Sequence, residues 1–274
     1  MFNLIKMDLY RLFHSKAMRV GIIIAAIVAF VGMLFNLGVL ALLKLAMEDS
    51  DPSSAEGMAF LFPIMSWLNG VDFADVVFTS TNSFSLFVAC MVVASFIGAE
   101  QSCGYAKNIA GQLSNRGKMV VSKYIVTCAV QLIILLVYTI IAVVFANMFF
   151  SSYITTYSIA ELIEGLLLRF LLFCAVDAML VFFCILTKSH AVAMVVGAIF
   201  SIGVTSLVYF AATGLLSMIK ISVEVAKFMP DGINALINVA SIGDVAVRAI
   251  IVSVVFIAIF LTGAVLLYQK RDVK

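Results

Sequence analysis

Long apolar stretches alternate along this sequence with short polar segments, and the polar segments hold most of the charged residues. A helix that crosses a bilayer needs about 20 consecutive, predominantly apolar residues. Six stretches reach this length, although the third is longer than one span needs and the fourth is interrupted by Arg169 and Asp177. The pattern predicts six transmembrane helices, at about residues 18–43, 77–100, 122–149, 164–187, 190–216 and 246–268.

Two shorter segments are also predicted to be helical, without crossing the membrane. Within residues 1–16, apolar side chains such as Phe2 and Leu9 share one side of a helix, which is typical of an elbow helix lying in the interface. Residues 233–242 are apolar but too short to span, and they predict a re-entrant segment on the outer side before the sixth span. The predicted fold class is an all-α polytopic membrane protein with one transmembrane domain, residues 1–274.

The overall composition supports the same class of protein. The chain is 64% hydrophobic and only 12% charged, with a mean hydropathy of +1.19, whereas soluble proteins are close to half apolar and one quarter charged. The five cysteines and two histidines show no spacing typical of a disulfide framework or a metal site. The composition therefore predicts that the lipid bilayer is the main partner of the protein's surface. The cysteine and histidine spacing predicts that no metal is bound.

The charges are divided unequally between the two sets of polar segments. Most of the 17 basic residues fall in the segments that share a side with both termini, and most of the 15 acidic residues fall in the other set. Basic loops stay in the cytoplasm, so both termini of this multi-pass chain are predicted to be cytoplasmic. The net charge of +2 gives no reason to expect a nucleic-acid partner, because the basic residues follow the membrane topology.

The residues needed for most membrane enzymes are missing from the predicted spans. No histidine lies within a span to activate a nucleophile, and Asp177 has no second carboxylate beside it. The glycine-containing segment 111–119 has one residue too many for a phosphate loop, and Met119 stands where a magnesium-binding hydroxyl is required. We therefore expect a transport subunit rather than an enzyme, with no cofactor in this chain.

The loop between the second and third predicted spans carries a recognisable set of residues. A glutamate ends the second span, a glycine and a lysine follow, and an arginine and a further lysine precede the third span: Glu100, Gly104, Lys107, Arg116 and Lys123. In this pattern the chain resembles the permease subunits of bacterial type-2 ABC exporters, most closely those of antimicrobial-peptide and lantibiotic export or immunity systems. Many members have a proline just before the arginine, where this chain has Ser114-Asn115.

The resemblance implies that this loop forms a coupling helix, which docks on a cytoplasmic ABC ATPase subunit. The residues that would form the contact are Glu100, Gly104, Lys107, Asn108, Arg116, Lys118 and Lys123. The resemblance also implies a second permease subunit, identical or different, with ATP and Mg bound on the ATPase. The substrate would be hydrophobic or amphipathic, in particular a peptide, exported across the bacterial plasma membrane. Alternatively, the loop's basic residues only satisfy the preference for positive charge on the cytoplasmic side.

Asp177 lies near the middle of the fourth predicted span. An isolated carboxylate at this depth costs about 3 kcal/mol on insertion scales, and such residues commonly mark functional sites. One interpretation places Asp177 on a substrate path together with Gln131 and Asn36. The other is a structural role, in which Asp177 is protonated or forms a hydrogen bond to a neighbouring helix, for instance to Gln131 or Tyr138.

The other charged residue of the fourth span, Arg169, is expected to reach outward to Glu161 or Glu164.

A different functional class also remains open, namely an ion- or proton-coupled secondary transporter or channel with no ATPase partner. That class predicts several ionisable groups at mid-membrane. The sequence provides essentially one ionisable group at mid-membrane, Asp177 in the interrupted fourth span.

Overall fold

The computed structural model describes residues 2–49, 71–81, 83–102, 117–152, 154–187, 189–218 and 224–270. Within these ranges the chain is almost entirely helical. The helices in chain order are α1 (Phe2–His14), α2 (Lys16–Asp49), α3 (Phe73–Thr81), α4 (Ser83–Ser102), α5 (Gly117–Phe149), α6 (Ile159–Thr187), α7 (His190–Ile202), α8 (Val204–Met218), α9 (Pro230–Ala235) and α10 (Ile242–Lys270), with a 3-10 turn at Val225–Phe228. Two short parallel strands, β1 (Val71–Asp72) and β2 (Ile154–Thr156), pair with each other.

Four of the described helices, α2, α5, α6 and α10, are individually long and apolar enough to cross a membrane. Two further apolar segments are each divided into a bent pair of helices. The bend between α3 and α4 is 43°, and the bend between α7 and α8 is 69°. The described chain therefore has four candidate spans, or up to six if each bent pair forms one span, and it is an all-α polytopic membrane protein.

Helix α6 lies at the centre of the bundle. It packs against α3, α4, α5, α7, α9 and α10. The most apolar part of α6 is 67% buried, compared with 22% for α2 and 17% for α10. The exposed side chains of α2 and α10 are mainly isoleucine, valine, leucine and phenylalanine. These two helices therefore present apolar surface to the lipid, whereas α6 presents its side chains to the protein interior.

Glycines bring several helices into close contact. A methyl group added at Gly21 on α2 would collide with Val92 on α4, and one added at Gly165 on α6 would collide with the ring of Phe78 on α3. Small residues at helix crossings are typical of membrane bundles, since backbones that approach closely gain van der Waals contact where the hydrophobic effect gives little.

Contacts between distant segments define two ends of the bundle. At the end that we call the terminal end, α1 packs against the start of α5, and Tyr268 near the end of α10 contacts Met119. At the opposite end, the distal end, β1 and β2 pair and Asp75 of α3 accepts a hydrogen bond from the Val239 N–H. The short turn at Val225–Phe228 and α9 also lie on the distal side, between α8 and α6.

Candidate functional site

The predicted coupling loop leaves the bundle at the terminal end. Glu100 lies within the last turn of α4, while Lys118 and Lys123 lie in the first two turns of α5. The remaining predicted contact residues, and with them the predicted coupling helix, lie outside the described residues: Gly104, Lys107, Asn108 and Arg116. The structure therefore places the two helices that hold the loop, and it leaves the docking interaction itself as a prediction.

The two lysines at the start of α5 have different environments. Lys118 is exposed, whereas Lys123 is only 6% exposed. Lys123 lies within electrostatic range of Asp8 on α1. Lys118 is therefore accessible to a partner protein, and Lys123 contributes to the attachment between α1 and α5 instead.

Asp8 attaches the amphipathic helix α1 to the start of α5. The Asp8 carboxylate is buried and accepts a hydrogen bond from the Ser122 hydroxyl at 2.8 Å. Arg11 approaches the same carboxylate at 3.8 Å, and its guanidinium lies 6.0 Å from the centre of the Phe96 ring on α4. A buried carboxylate needs such donors and positive charge because it has lost its water. The sequence pattern predicted that α1 lies in the interface but gave no partner for Asp8.

The start of α5 also contacts two other elements of the terminal end. The Tyr268 hydroxyl donates to the Met119 sulfur at 3.3 Å. At the nearby end of α4, Gly98 lies directly against His190, the first residue of α7. Because packed helices transmit displacement as rigid bodies, movement of the loop would pass to α1, α7 and α10.

Asp177 and Gln131 are fully buried in the centre of the bundle. Neither carboxylate oxygen of Asp177 and neither amide atom of Gln131 has a hydrogen-bond partner among the described residues, and the same holds for the Tyr138 hydroxyl. Of the structural alternatives for Asp177, the hydrogen bond to Gln131 or Tyr138 is therefore not formed. Buried polar groups are normally paired, so each of these groups calls for a functional or solvent partner.

The surroundings of Asp177 connect three helices. Asp177 lies within electrostatic range of Cys128 on α5, which is one helical turn from Gln131, and of Cys90 on α4. One turn earlier on α5, the Tyr124 hydroxyl donates to the Cys174 carbonyl at 3.3 Å. These contacts place Asp177 at the interface between α5 and α6, and a substrate path that joins Asp177 to Gln131 stays a prediction.

Asn36 does not belong to this interface. It is half-buried on α2, and its neighbours Met33 and Leu37 pack into a cluster with Phe73 and Phe78 of the distal half. The interface around Asp177 instead includes Cys90, which packs with Leu135 and Leu180. These contacts therefore give no support for a path that joins Asn36 to Asp177.

Arg169 forms a site that the sequence pattern did not predict. Its side chain is 2% exposed, so the expectation that it reaches outward to Glu161 or Glu164 is wrong. Its Nη1 atom donates to the Phe78 carbonyl at 2.6 Å and to the Thr81 hydroxyl at 2.8 Å. Both acceptors lie in the last turn of α3, where helix carbonyls lose their usual partners.

Two further interactions hold the guanidinium of Arg169. It lies 4.8 Å from the centre of the Phe78 ring, and it is within electrostatic range of Asp75. The polar run from Ser80 to Ser83, inside an otherwise apolar stretch, is the sequence signal that could have indicated a broken helix in need of a donor.

The described residues offer no group of three histidine, cysteine, aspartate or glutamate side chains that could hold a metal ion. Comparison with protein-family models and with curated proteins gives no match for this chain. The functional assignment therefore rests on the residues and their arrangement.

Proposed function

We propose that this chain is the transmembrane subunit of an ATP-driven ABC exporter that moves a hydrophobic or amphipathic substrate, in particular a peptide. The observation that carries the proposal is the loop between α4 and α5, with its spaced Glu100, Lys107 and Arg116. The contacts of Asp8 and Tyr268 support it, because they join the start of α5 to two other elements at the same end. A partner bound to the loop would thus act on several helices at once.

The proposal includes six spans, with each bent pair of helices crossing once, and a coupling helix that docks on a separate ATPase subunit carrying ATP and Mg. It includes a second permease subunit and both termini on the cytoplasmic side of a bacterial plasma membrane. A cysteine introduced at Ala240, which is exposed near the distal end, should react with an impermeant thiol reagent in intact cells. Cys103 should not react; labelling of Cys103 from outside would reverse the topology.

Docking is tested by charge reversal in the loop. Arg116→Glu and Glu100→Lys should each weaken binding of the ATPase subunit, since loss of a desolvated charge contact typically costs about 2–5 kcal/mol. Pull-down of the ATPase and substrate-stimulated ATP hydrolysis in reconstituted membranes measure the effect. Lys6→Glu is the matched control, because Lys6 is exposed on α1 at the same end. Wild-type binding and hydrolysis in both loop variants would refute the ABC exporter proposal.

The unpaired polar groups of Asp177 and Gln131 favour one alternative function, an ion- or proton-coupled transporter or channel. A buried carboxylate without a protein partner is a common element of proton and cation pathways. Asp177→Asn separates the two functions. In an exporter it should reduce peptide transport while ATPase binding persists. In a coupled transporter it should abolish gradient-driven flux in vesicles that contain no ATPase.

A further inference from the structure

The distal end of the molecule contains a cavity of about 400 Å³ between α8, the turn at Val225–Phe228 and α9. It exists because Gly203 ends α7 with a φ of +80°, a left-handed conformation that favours glycine. Helix α8 then leaves at 69° to α7, and α9 covers only part of the space that this bend opens. The volume lies in the range of small-molecule sites.

The walls of the cavity are mainly apolar and open towards the lipid. Phe200, Tyr209, Phe210 and Leu236 contribute to its lining. Phe210 is 82% exposed, so the edge of the cavity that it forms is open at the surface of the bundle. With α7 and α8 crossing as one span, as proposed above, this edge faces the lipid chains. A ligand can therefore enter sideways from the bilayer with its hydrophobic part leading.

Two carboxylates, Glu224 and Asp231, stand in this mainly apolar lining. The Asp231 side chain accepts hydrogen bonds from the Tyr209 hydroxyl at 2.7 Å and from the Thr205 hydroxyl. An ionised carboxylate has about four acceptor positions, so two neutral donors leave capacity for further donors. Lys227, which also lines the cavity, pairs with Glu224 at 2.8 Å. Among the described lining residues, Asp231 is thus the charge that no lysine or arginine neutralises.

We propose that this cavity binds a single-chain amphiphile with a primary ammonium group. The ammonium would complete the shell of Asp231, where a charge-assisted hydrogen bond is strong because the surroundings are apolar. The hydrocarbon part would lie against the aromatic walls. The cavity volume suits one chain rather than a complete two-chain phospholipid. This site is separate from Asp177, and its occupancy requires neither the ATPase subunit nor ATP.

The experiment uses the full chain in phosphatidylcholine nanodiscs and a photoactivatable dodecylammonium probe, with cross-linked peptides mapped by mass spectrometry. We expect cross-links on α8 and α9 near Tyr209 and Leu236. Asp231→Asn keeps an acceptor for Tyr209 and Thr205 but removes the charge, and it should lower labelling roughly 10-fold or more. Asp244→Asn is the matched control, because Asp244 lies in the first turn of α10 and is absent from the lining. It should label like the wild type.

Two further comparisons, one with a cavity-filling variant and one with a different lipid, complete the test. Ala235→Phe fills the cavity from an exposed lining position, and it should reduce labelling by both the ammonium probe and a matching neutral alcohol. Asp231→Asn should reduce only the former. Equal labelling of wild type and Asp231→Asn, or equal labelling by a matching carboxylate probe, would overturn the proposal. Loss of labelling in discs that contain phosphatidylethanolamine would overturn the single-chain assignment and indicate a lipid ligand.

Discussion

Each of the two bent helix pairs of this protein contains a break in the helix, and the two breaks are filled differently. Between α3 and α4, the carbonyl of Phe78 and the hydroxyl of Thr81 are held by the buried guanidinium of Arg169. Between α7 and α8, Gly203 turns the chain, and no comparable side chain of the described residues fills the gap. The first break lies inside the core and the second opens a cavity.

The difference shows that a helix break in a membrane protein is not in itself a site. Phe78 is buried and Arg169 closes the first break from a helix 91 positions later in the chain. At the second break the bend is larger, 69° against 43°. The space is bordered by a 3-10 turn and a helix of one to two turns. A break becomes available to a ligand when only short elements cover it.

The largest effect is expected from Arg169→Ala. It would leave the Phe78 carbonyl and the Thr81 hydroxyl without their donor and would empty the volume of the largest fully buried side chain among the described residues. Loss of a buried charged partner together with a cavity typically costs about 3–5 kcal/mol. Unfolding in mixed micelles, followed by circular dichroism, measures the free energy.

The matched control for this variant is Arg248→Ala, because Arg248 is exposed on α10. It should change the free energy of unfolding by less than about 0.5 kcal/mol. Equal effects of the two substitutions would show that Arg169 does not stabilise the first break.

A smaller effect is expected from Gly165→Ala, which tests how tightly the helices pack at the same break. The added methyl group would collide with the Phe78 ring, and this ring is buried beside the Arg169 guanidinium and cannot move away without disturbing it. Overpacking of this kind costs about 1–3 kcal/mol. Gly32→Ala is the control, because none of the described residues lies within 4 Å of a methyl group there. It should be neutral or stabilising in the same unfolding measurement.

At the second break, Gly203→Ala should destabilise the protein by about 1–2 kcal/mol, since an L-residue in the left-handed region clashes with its own backbone. A steric collision with another segment is not the reason, because a methyl group at Gly203 would meet no atom of the described residues within 4 Å. Gly214→Ala, also in open space but within regular α8, should instead gain up to about 1 kcal/mol from helix propensity. Thermal unfolding of the two variants should therefore shift in opposite directions.

The smallest effect is expected from Thr213→Val. The Thr213 hydroxyl accepts the Val225 N–H at 3.2 Å and so holds the 3-10 turn to α8 at the cavity rim. Its loss should cost about 0.5–1.5 kcal/mol and speed hydrogen exchange at Val225. Thr262→Val is the control, because the Thr262 hydroxyl donates only to carbonyls of its own helix. Unchanged exchange at Val225 would mean that the turn is held by other contacts.

The sequence by itself determined the class of protein and the approximate positions of its apolar helical segments. It predicted the spans 77–100 and 190–216 as single helices, whereas the structure divides each into a bent pair. In a bilayer the backbone N–H and C=O groups must pair within the protein, so an apolar stretch such as residues 18–43 forms a helix. The helical character of α1 followed from the same periodicity, whereas the segment 233–242, predicted to be helical, is helical only at its two ends and forms turns between Ala235 and Ile242. Asp177 and Gln131 could be singled out because polar residues within apolar stretches are costly.

Only the tertiary structure decided how the polar residues are used. Arg169 and Asp177 lie two turns apart on α6, yet one is held by α3 and the other has no partner among the described residues. Asp8 meets Ser122 across 114 positions of sequence. These outcomes depend on which helices cross and where glycines such as Gly165 allow close approach. Local periodicity records which side of a helix is apolar, but it carries no information about the helix that packs against that side.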